Sequence, residues 1–360
     1  LAQYQPHRDK IKAAIDNVLE SGVYLLGPQL DLFESELGAY LGAKHVVGCG
    51  SGTDALVLAM LTAGIETGDE VILPSHTASA TVAAVLLCRA TPVYVDIEPN
   101  FYTIDPSLIG DACSSRTKAI IAVHLYGQAA DLVPLREISD SRGLTLIEDC
   151  AQSLGGELHG RKLGTFGDFA CFSFFPTKNL GCLGDGGAVV CKEAKYLDRL
   201  KSLRQYGWDQ ERVSQQAGLN SRMDEIQAAV LRVKLPFLSQ SLEDRTNQAD
   251  KYLNGLADSP LQLPNTRSGA VHSYSLFVAR VNAERRENLI KFLRENGVIA
   301  GLHYAVPAHK MPAYRANAYL PVTEKIAQEV VSLPLYPGLT DKEQDAIIST
   351  LLCFGNGEDV

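Results

Sequence analysis

The sequence lacks the features that mark several large classes of protein. It has no basic character, because its formal net charge is -9 and its isoelectric point is near 5.4, so binding to nucleic acid is not expected. Apolar runs such as Ala119–Val123 are too short to cross a bilayer. The 8 cysteines form no C-x-x-C pair and no cluster with histidine, which argues against a disulfide framework and against a metal site. The first twenty residues have the pattern of an amphipathic helix and not of a signal peptide, so we expect a cytoplasmic protein.

The sequence does contain a succession of short apolar segments that alternate with helical patterns. The segments are rich in β-branched or aromatic residues and show little internal alternation, which is typical of parallel strands covered on both faces. These predicted strands are His45–Gly48, Glu70–Leu73, Thr91–Val95, Ala119–His124, Leu144–Glu148, Phe169–Phe174 and Ala188–Cys191. The apolar spacing predicts helices at 7–21, 29–41, Thr53–Ala63, Ser79–Leu87 and Pro134–Arg142.

After about residue 195 this alternation stops. A long helical region from Asp224 to about Gly255 precedes a candidate strand at Ser273–Val281 and a helix at Arg285–Asn296. We therefore predict an α/β protein with a large domain over residues 1–235, which includes an N-terminal helix. A smaller α+β domain is predicted over residues 236–360.

Two segments suggest where a ligand binds. Gly48–Asp54 is a glycine-rich turn between a strand and a helix, where backbone N–H groups and the helix dipole favour an anion. A phosphate site and a simple tight turn both fit this turn, whose spacing is neither a Walker loop nor a dinucleotide fingerprint. Asp149 follows an apolar strand, at the edge where open α/β sheets bind ligands. It is either the partner of a protonated ring nitrogen or a helix cap.

A third segment contains Lys178, which follows an apolar strand and stands near Pro176 and several aromatic residues. A desolvated lysine loses its proton more readily and can then attack a carbonyl carbon, although a surface lysine on a loop also fits this position. The order of the three segments is an anion-binding turn, an acidic strand end and then a lysine. That order is what a pyridoxal phosphate site needs.

In these segments the sequence closely resembles the DegT/DnrJ/EryC1/StrS family of sugar aminotransferases, within the fold-type I (aspartate aminotransferase-like) group. The resemblance covers nearly the whole chain. It is carried by Gly50–Leu56, Val71–Ser75, Pro92–Asp96, Ile147–Gln152, Phe172–Gly187, Arg204–Gly207, Gly218–Ala229, His303–Tyr304 and Leu333–Leu335. It implies a pyridoxal phosphate cofactor and a mostly parallel seven-stranded sheet flanked by helices, followed by the smaller domain.

The resemblance also implies roles for individual residues. Lys178 is expected to form the Schiff base and to move protons, and Asp149 to pair with the pyridine nitrogen. Gln152 is expected against the cofactor ring and its hydroxyl. The remaining implied contacts are the phosphate ligands Gly52, Thr53 and Ser173, the residue Asn220 that reaches the cofactor of the other subunit, and the substrate-channel residues Arg222, Tyr304 and His309. The family thus implies a homodimer with shared active sites.

Two positions qualify this resemblance. Family members often have an aromatic residue at the position of Ala78, where it stacks on the cofactor ring. The only nearby ring is His76, for which stacking on the cofactor and a structural role are both open. Some relatives have histidine in place of the Schiff-base lysine and catalyse dehydration, so Lys178 favours transamination.

The implied reaction moves an amino group from L-glutamate to a nucleotide-linked keto-sugar in amino-sugar biosynthesis. Arg204–Trp208 and 220–222 look most like members that act on dTDP-linked 3-keto-6-deoxyhexoses, while 4-keto-sugars linked to UDP, GDP or dTDP stay open. The alternatives are a pyridoxal phosphate-dependent lyase or dehydratase and a non-enzymatic regulator. For the regulator, no helix-turn-helix pattern and no basic face are found.

Overall fold

The computed structural model describes residues 3–356 and contains a central seven-stranded sheet. The strands, numbered along the chain, are β1 (His45–Cys49), β2 (Glu70–Pro74), β3 (Thr91–Val95), β4 (Thr117–Val123), β5 (Thr145–Asp149), β6 (Glu157–Leu158), β7 (Arg161–Lys162), β8 (Phe169–Ser173), β9 (Gly187–Cys191), β10 (Ala270–Val271), β11 (Phe277–Arg280) and β12 (Val330–Leu333). The central sheet has the order β1-β9-β8-β5-β4-β2-β3.

Most neighbours in the central sheet are parallel, and only β9 runs antiparallel to both of its neighbours, β1 and β8. The predicted strands are all present, with ends that differ by a few residues. Every residue of β2 and of β9 is buried, because helices cover both faces of the sheet. This burial is the physical reason for the apolar runs without alternation.

The helices that cover the sheet and build the rest of the chain are α1 (Arg8–Ser21), α2 (Pro28–Leu41), α3 (Gly52–Thr62), α4 (Ser79–Leu87), α5 (Ile109–Ala112), α6 (Leu132–Arg142), α7 (Leu197–Leu203), α8 (Glu225–Lys234), α9 (Leu238–Gly255), α10 (Ala283–Glu295), α11 (Pro321–Glu329) and α12 (Asp341–Asn356). Within residues 3–356, none of them is both long and apolar enough to span a bilayer.

The C-terminal part has its own small core. The strands β11 and β12 pair antiparallel, and their buried side chains pack with those of α9, α10 and α12 in one cluster around Tyr252, Phe277 and Leu289. The candidate strand at Ser273–Val281 is shorter than predicted, because the N–H groups of Ser273 and Leu276 donate to carbonyls of residues 126–127 instead of to a strand.

The long helical region also differs from its prediction. It consists of α8 and α9 with a short 3-10 turn at Leu235–Phe237 between them. Pro236 lies in this turn and cannot donate a backbone hydrogen bond, which explains the interruption. The division between domains at residues 235 and 236 falls in this turn and stays a prediction.

Candidate active site

A cavity of about 250 Å³ lies at the carboxyl ends of β4 and β5. The start of α3, the start of α4 and the loop after β8 complete its wall. The predicted site residues that line it are Gly52, Thr53, Asp149, Gln152, Ser173 and Lys178. The structure therefore brings together residues that are far apart in the sequence.

One wall of this cavity is the N-terminus of α3. Ser51 caps the helix by accepting a hydrogen bond from the N–H of Asp54 at 3.1 Å. A Cβ atom at Gly52 would lie 2.6 Å from Cβ of Ser173, so only glycine permits the helix to start this close to the end of β8. The first N–H groups of a helix have no partner within it, and together with the helix dipole they favour an anion.

Asp149, the last residue of β5, is buried and held by two hydrogen bonds. The hydroxyl of Thr81 donates to Oδ2 at 2.8 Å, and the N–H of Ala151 donates to Oδ1 at 3.1 Å. The hydroxyl of Thr81 lies 2.9 Å from that of Thr77, which also lines the cavity. These contacts fix the orientation of the carboxylate.

Lys178 lies in the loop after β8, largely shielded from solvent. Burial lowers the pKa of its amine, and the nearby carboxylate of Asp149 opposes this shift only in part. A lower pKa increases the fraction of neutral amine, which is the nucleophilic form. The backbone of Lys178 is fixed by hydrogen bonds to the carbonyl of Phe175 and from the side chain of Gln3.

A chain of hydrogen bonds holds Gln152 and Tyr304. The N–H of Tyr126 donates to Oε1 of Gln152 at 2.7 Å, and Nε2 of Gln152 donates to the hydroxyl of Tyr304 at 2.9 Å. The hydroxyl of Tyr126 contacts Nε2 of His76 at 2.7 Å and donates to the carbonyl of His303. Gln152 is thus oriented from both ends.

A second cavity, of about 540 Å³, adjoins the first at Gln152, Phe175 and Lys178. It is also lined by Arg245 and by the predicted substrate residue Tyr304. Lys178 therefore faces both cavities.

His76 and His309 are not brought to either cavity. Both are completely buried. His76 packs edge-on against Tyr126, and burial lowers its pKa to about 4, so it is a neutral core residue. The two ring nitrogens of His309 contact Oγ of Ser75 at 2.6 Å and a carboxylate oxygen of Glu324 at 3.2 Å. Of the two roles left open for His76, its position therefore fits the structural one, and the substrate contact expected of His309 does not fit its position.

Asn220 and Arg222 also lie away from both cavities. Asn220 is exposed, and its side-chain oxygen accepts a hydrogen bond from Nε of Arg222 at 3.0 Å. The guanidinium of Arg222 lies 5.9 Å from the ring of Tyr206. Their roles toward a second subunit and toward substrate stay predictions.

One buried cluster of metal-ligand types, formed by His124, Glu148 and Cys150, is explained without a metal. Glu148 accepts hydrogen bonds from the N–H groups of Gly164, Phe166 and Gly167. Nδ1 of His124 accepts from the N–H of Ala130, so its protonated Nε2 donates to Glu148 at 3.0 Å. These bonds stabilise the loop after β7.

Thr81 and Arg245 line these cavities and Tyr126 holds the cavity residue Gln152, and none of these three was predicted from the sequence. Tyr126 follows the predicted strand Ala119–His124, so the rule that ligands bind at strand carboxyl ends is a signal that points to it. Thr81 and Arg245 lie on helices and give no such signal.

The residues of the first cavity fit pyridoxal phosphate. Because Gly52 has no side chain, the N–H groups at the start of α3 lie close to Ser173, where they can bind a phosphate. The oriented carboxylate of Asp149 can stabilise a protonated ring nitrogen. Lys178 provides the amine with a lowered pKa.

Comparison with known proteins agrees with this fit. The model of the DegT/DnrJ/EryC1/StrS aminotransferase family matches residues 6–352. The dTDP-3-amino-3,4,6-trideoxy-alpha-D-glucose transaminase of Streptomyces venezuelae is 46% identical over 94% of this chain and 90% of its own length. The UDP-N-acetyl-3-dehydro-alpha-D-glucosamine 3-aminotransferase of Acidithiobacillus ferrooxidans is 42% identical, over 98% and 95%.

The fold is equally similar to that of solved structures. The X-ray structure of S. venezuelae DesV in complex with a ketimine intermediate superposes with a TM-score of 0.96 at 43% identity, and the match covers 99% of this chain and 97% of that one. Other similar structures contain pyridoxal phosphate or its pyridoxamine form.

Proposed function

Because the chain belongs to the DegT/DnrJ/EryC1/StrS family and is therefore a pyridoxal phosphate-dependent aminotransferase of nucleotide sugars, we propose that it aminates a dTDP-linked 3-keto-6-deoxyhexose with L-glutamate as the donor. The observation that supports this most is the first cavity. It places the buried amine of Lys178, the oriented carboxylate of Asp149 and the N-terminus of α3 around one space.

The chain's own residues have separate tasks in this reaction. The start of α3, with Ser173, binds the cofactor phosphate, and Asp149 holds the proton on the ring nitrogen. When bound, pyridoxal phosphate supplies an electrophilic aldehyde and a ring that accepts electrons. The neutral amine of Lys178 would take a proton from the donor's α-carbon and deliver it to the cofactor instead of back to that carbon, which contributes roughly 10²–10⁴-fold in rate. Gln152, held by Tyr126 and Tyr304, positions the ring hydroxyl.

The names of the two relatives support carbon 3 as the position of amination. Both names refer to a sugar with nitrogen or a keto group at carbon 3, while one is linked to dTDP and the other to UDP. The dTDP relative has the higher sequence identity of the two, at 46% against 42%. This comparison favours dTDP over UDP.

A panel of keto-sugar nucleotides tests the proposal. Purified enzyme with L-glutamate should convert a dTDP-linked 3-keto-6-deoxyhexose to its amino-sugar, with an equal amount of 2-oxoglutarate and no free ammonia. The Lys178→Ala variant should bind the cofactor and complete no turnover. Exclusive amination of a 4-keto or UDP-linked sugar would contradict the substrate, and ammonia release would favour a lyase.

We propose further that the enzyme is a homodimer whose subunits share their active sites. The segment 220–227 carries Asn220 away from its own cavity, and exposed apolar side chains surround it. These are Tyr24, Leu25, Leu183 and Tyr206. The backbones of the first three bond to this segment, and Tyr206 follows Gln205, which forms a β-bridge with Asn220. Such an exposed apolar patch is typical of a partner surface.

Complementation between two inactive variants tests the sharing of sites. A mixture of Lys178→Ala with Asn220→Ala, refolded together, should recover roughly a quarter of wild-type activity, because a heterodimer has one site with both native residues. Each variant alone should have much less activity. A monomer in light scattering, or a mixture no more active than its components, would contradict shared sites.

A further inference from the structure

The second cavity has an unusual charge for this acidic protein. It is lined by the basic residues Lys178, Arg245 and His303, and no aspartate or glutamate belongs to its lining in the described part of the chain. The chain as a whole has a net charge of -9. A cavity with basic groups and no acidic group therefore stands out as a site for an anion.

Arg245 is the most informative of these residues. It lies on α9, and the residue is only 2% exposed. Nη1 donates to the carbonyl of Tyr274 at 3.0 Å and more weakly to that of Leu335 at 3.5 Å. Its buried Nε finds no acceptor within residues 3–356, and Arg245 forms no ion pair there.

This arrangement leaves a buried positive charge without compensation. Burial lowers the pKa of Arg245 to about 10, with no opposing carboxylate, so the guanidinium is still protonated at neutral pH. Buried charges in proteins are normally paired, because removal from water is costly. Anchoring two carbonyls requires a hydrogen-bond donor but not a charge.

We propose that Arg245 binds a carboxylate of the amino donor in the second cavity. This inference rests on the proposed function, because it assigns a residue to the donor of that reaction. The donor must place its amine at Lys178, which lines the same cavity as Arg245.

A carboxylate fits the cavity better than a sugar-nucleotide diphosphate does. The planar guanidinium of arginine matches a carboxylate in shape and charge, and Arg245 lines the cavity while its described hydrogen bonds go only to backbone carbonyls. A diphosphate carries more charge, and the described lining offers it only Arg245 once Lys178 is engaged in the reaction. The cavity also contains Ser275 and Tyr304, whose hydroxyls can hydrogen-bond a dicarboxylate.

Steady-state kinetics of Arg245→Gln in the holoenzyme tests the assignment. Glutamine keeps a donor for the two carbonyls and removes the charge. The KM for L-glutamate should rise roughly 10- to 100-fold, since a hydrogen bond to a charged group is lost. The KM for the keto-sugar nucleotide should be unchanged, and Arg245→Lys should recover part of the loss.

Binding of glutarate, a dicarboxylate without an amine, gives a measurement that needs no turnover. Calorimetry should show that wild-type holoenzyme binds glutarate and that Arg245→Gln binds it at least tenfold more weakly. Lys251→Gln is the matched control, since it removes a positive charge from the same helix at an exposed ion pair with Asp341 and Asp345. It should bind glutarate normally.

The outcomes separate the alternatives. An unchanged glutarate affinity, or an equal rise of both KM values together with a lower unfolding temperature, would overturn the assignment and leave Arg245 a structural anchor. A rise in the KM of the sugar nucleotide alone would assign Arg245 to the diphosphate, and this result would also overturn the assignment to the donor. Failure of the proposed function is recognised separately, because the wild-type enzyme would then form no 2-oxoglutarate.

Discussion

The narrow contact between α3 and β8 allows a quantitative test of the phosphate site through the substitution Gly52→Ala. The added Cβ would lie 2.6 Å from Cβ of Ser173 and 3.2 Å from its Cα. Real Cβ contacts are essentially never shorter than 3.0 Å, so the start of α3 and the end of β8 must move apart. Neither atom is the end of a flexible side chain, so the start of the helix has to move.

Overpacking of this kind costs about 1–3 kcal/mol. Because the shifted groups are those that would hold the cofactor phosphate, we expect a comparable loss in cofactor binding, a rise in Kd of roughly 5- to 150-fold. Equilibrium dialysis of apoenzyme against pyridoxal phosphate measures the Kd, and urea unfolding measures the stability.

Two further variants test whether the contact with Ser173 causes the losses expected for Gly52→Ala. Gly110→Ala adds a methyl group in α5 that meets only Nη2 of Arg142, at 3.6 Å, so cofactor binding should be unchanged. Ser173→Gly removes the clashing Cβ, so Gly52→Ala should cost less stability in that background than in the wild type. An equal cost in both backgrounds, or an unchanged Kd for Gly52→Ala, would refute the reasoning.

Two other predictions concern buried polar groups. Thr81→Val should lower the free energy of unfolding by about 1–3 kcal/mol, because Asp149 loses a donor and the hydroxyl of Thr77 loses its partner, while Thr81→Ser should lose less. An effect equal to that of Thr81→Ser in urea unfolding would contradict it. Burial lowers the pKa of His272 to about 3, below the 6.5 of the unfolded chain, so its contribution to stability is complete above pH 6.5 and is lost as the pH falls. His272→Gln should therefore show a weaker loss of stability between pH 7 and pH 5, and a pH dependence identical to that of the wild type would exclude this explanation.

The central sheet could be predicted from the sequence because its strands are buried on both faces. A strand such as β2, buried over its whole length, gives a short apolar run without alternation, which is typical of strands covered on both faces. Lys178 and Asp149 could be predicted for a related reason, since both follow such strands. The rule that ligands bind at the carboxyl edge then places them together.

The residues that could not be placed depend on contacts between distant segments. His309 is held by Ser75, which is 234 positions away, and nothing near either residue in the sequence indicates this bond. Arg245 has the sequence context of an ordinary polar residue on a helix. Only the packing of α9 against the segments at Tyr274 and Leu335 removes it from solvent.

The two cavities suggest how one lysine can serve both the cofactor and the amino donor. The first cavity contains the acidic residues Asp149 and Asp185 beside a helix N-terminus, whereas the lining of the second has basic groups and no acidic one in the described residues. In the proposed assignment, a cationic ring and its phosphate belong to the first, and an anionic donor to the second. Lys178 lines both cavities, so its amine would be available to both ligands while Phe175 and Gln3 hold its backbone. A donor carboxylate in the first cavity would be repelled by Asp149, which gives the charge separation a role in donor orientation.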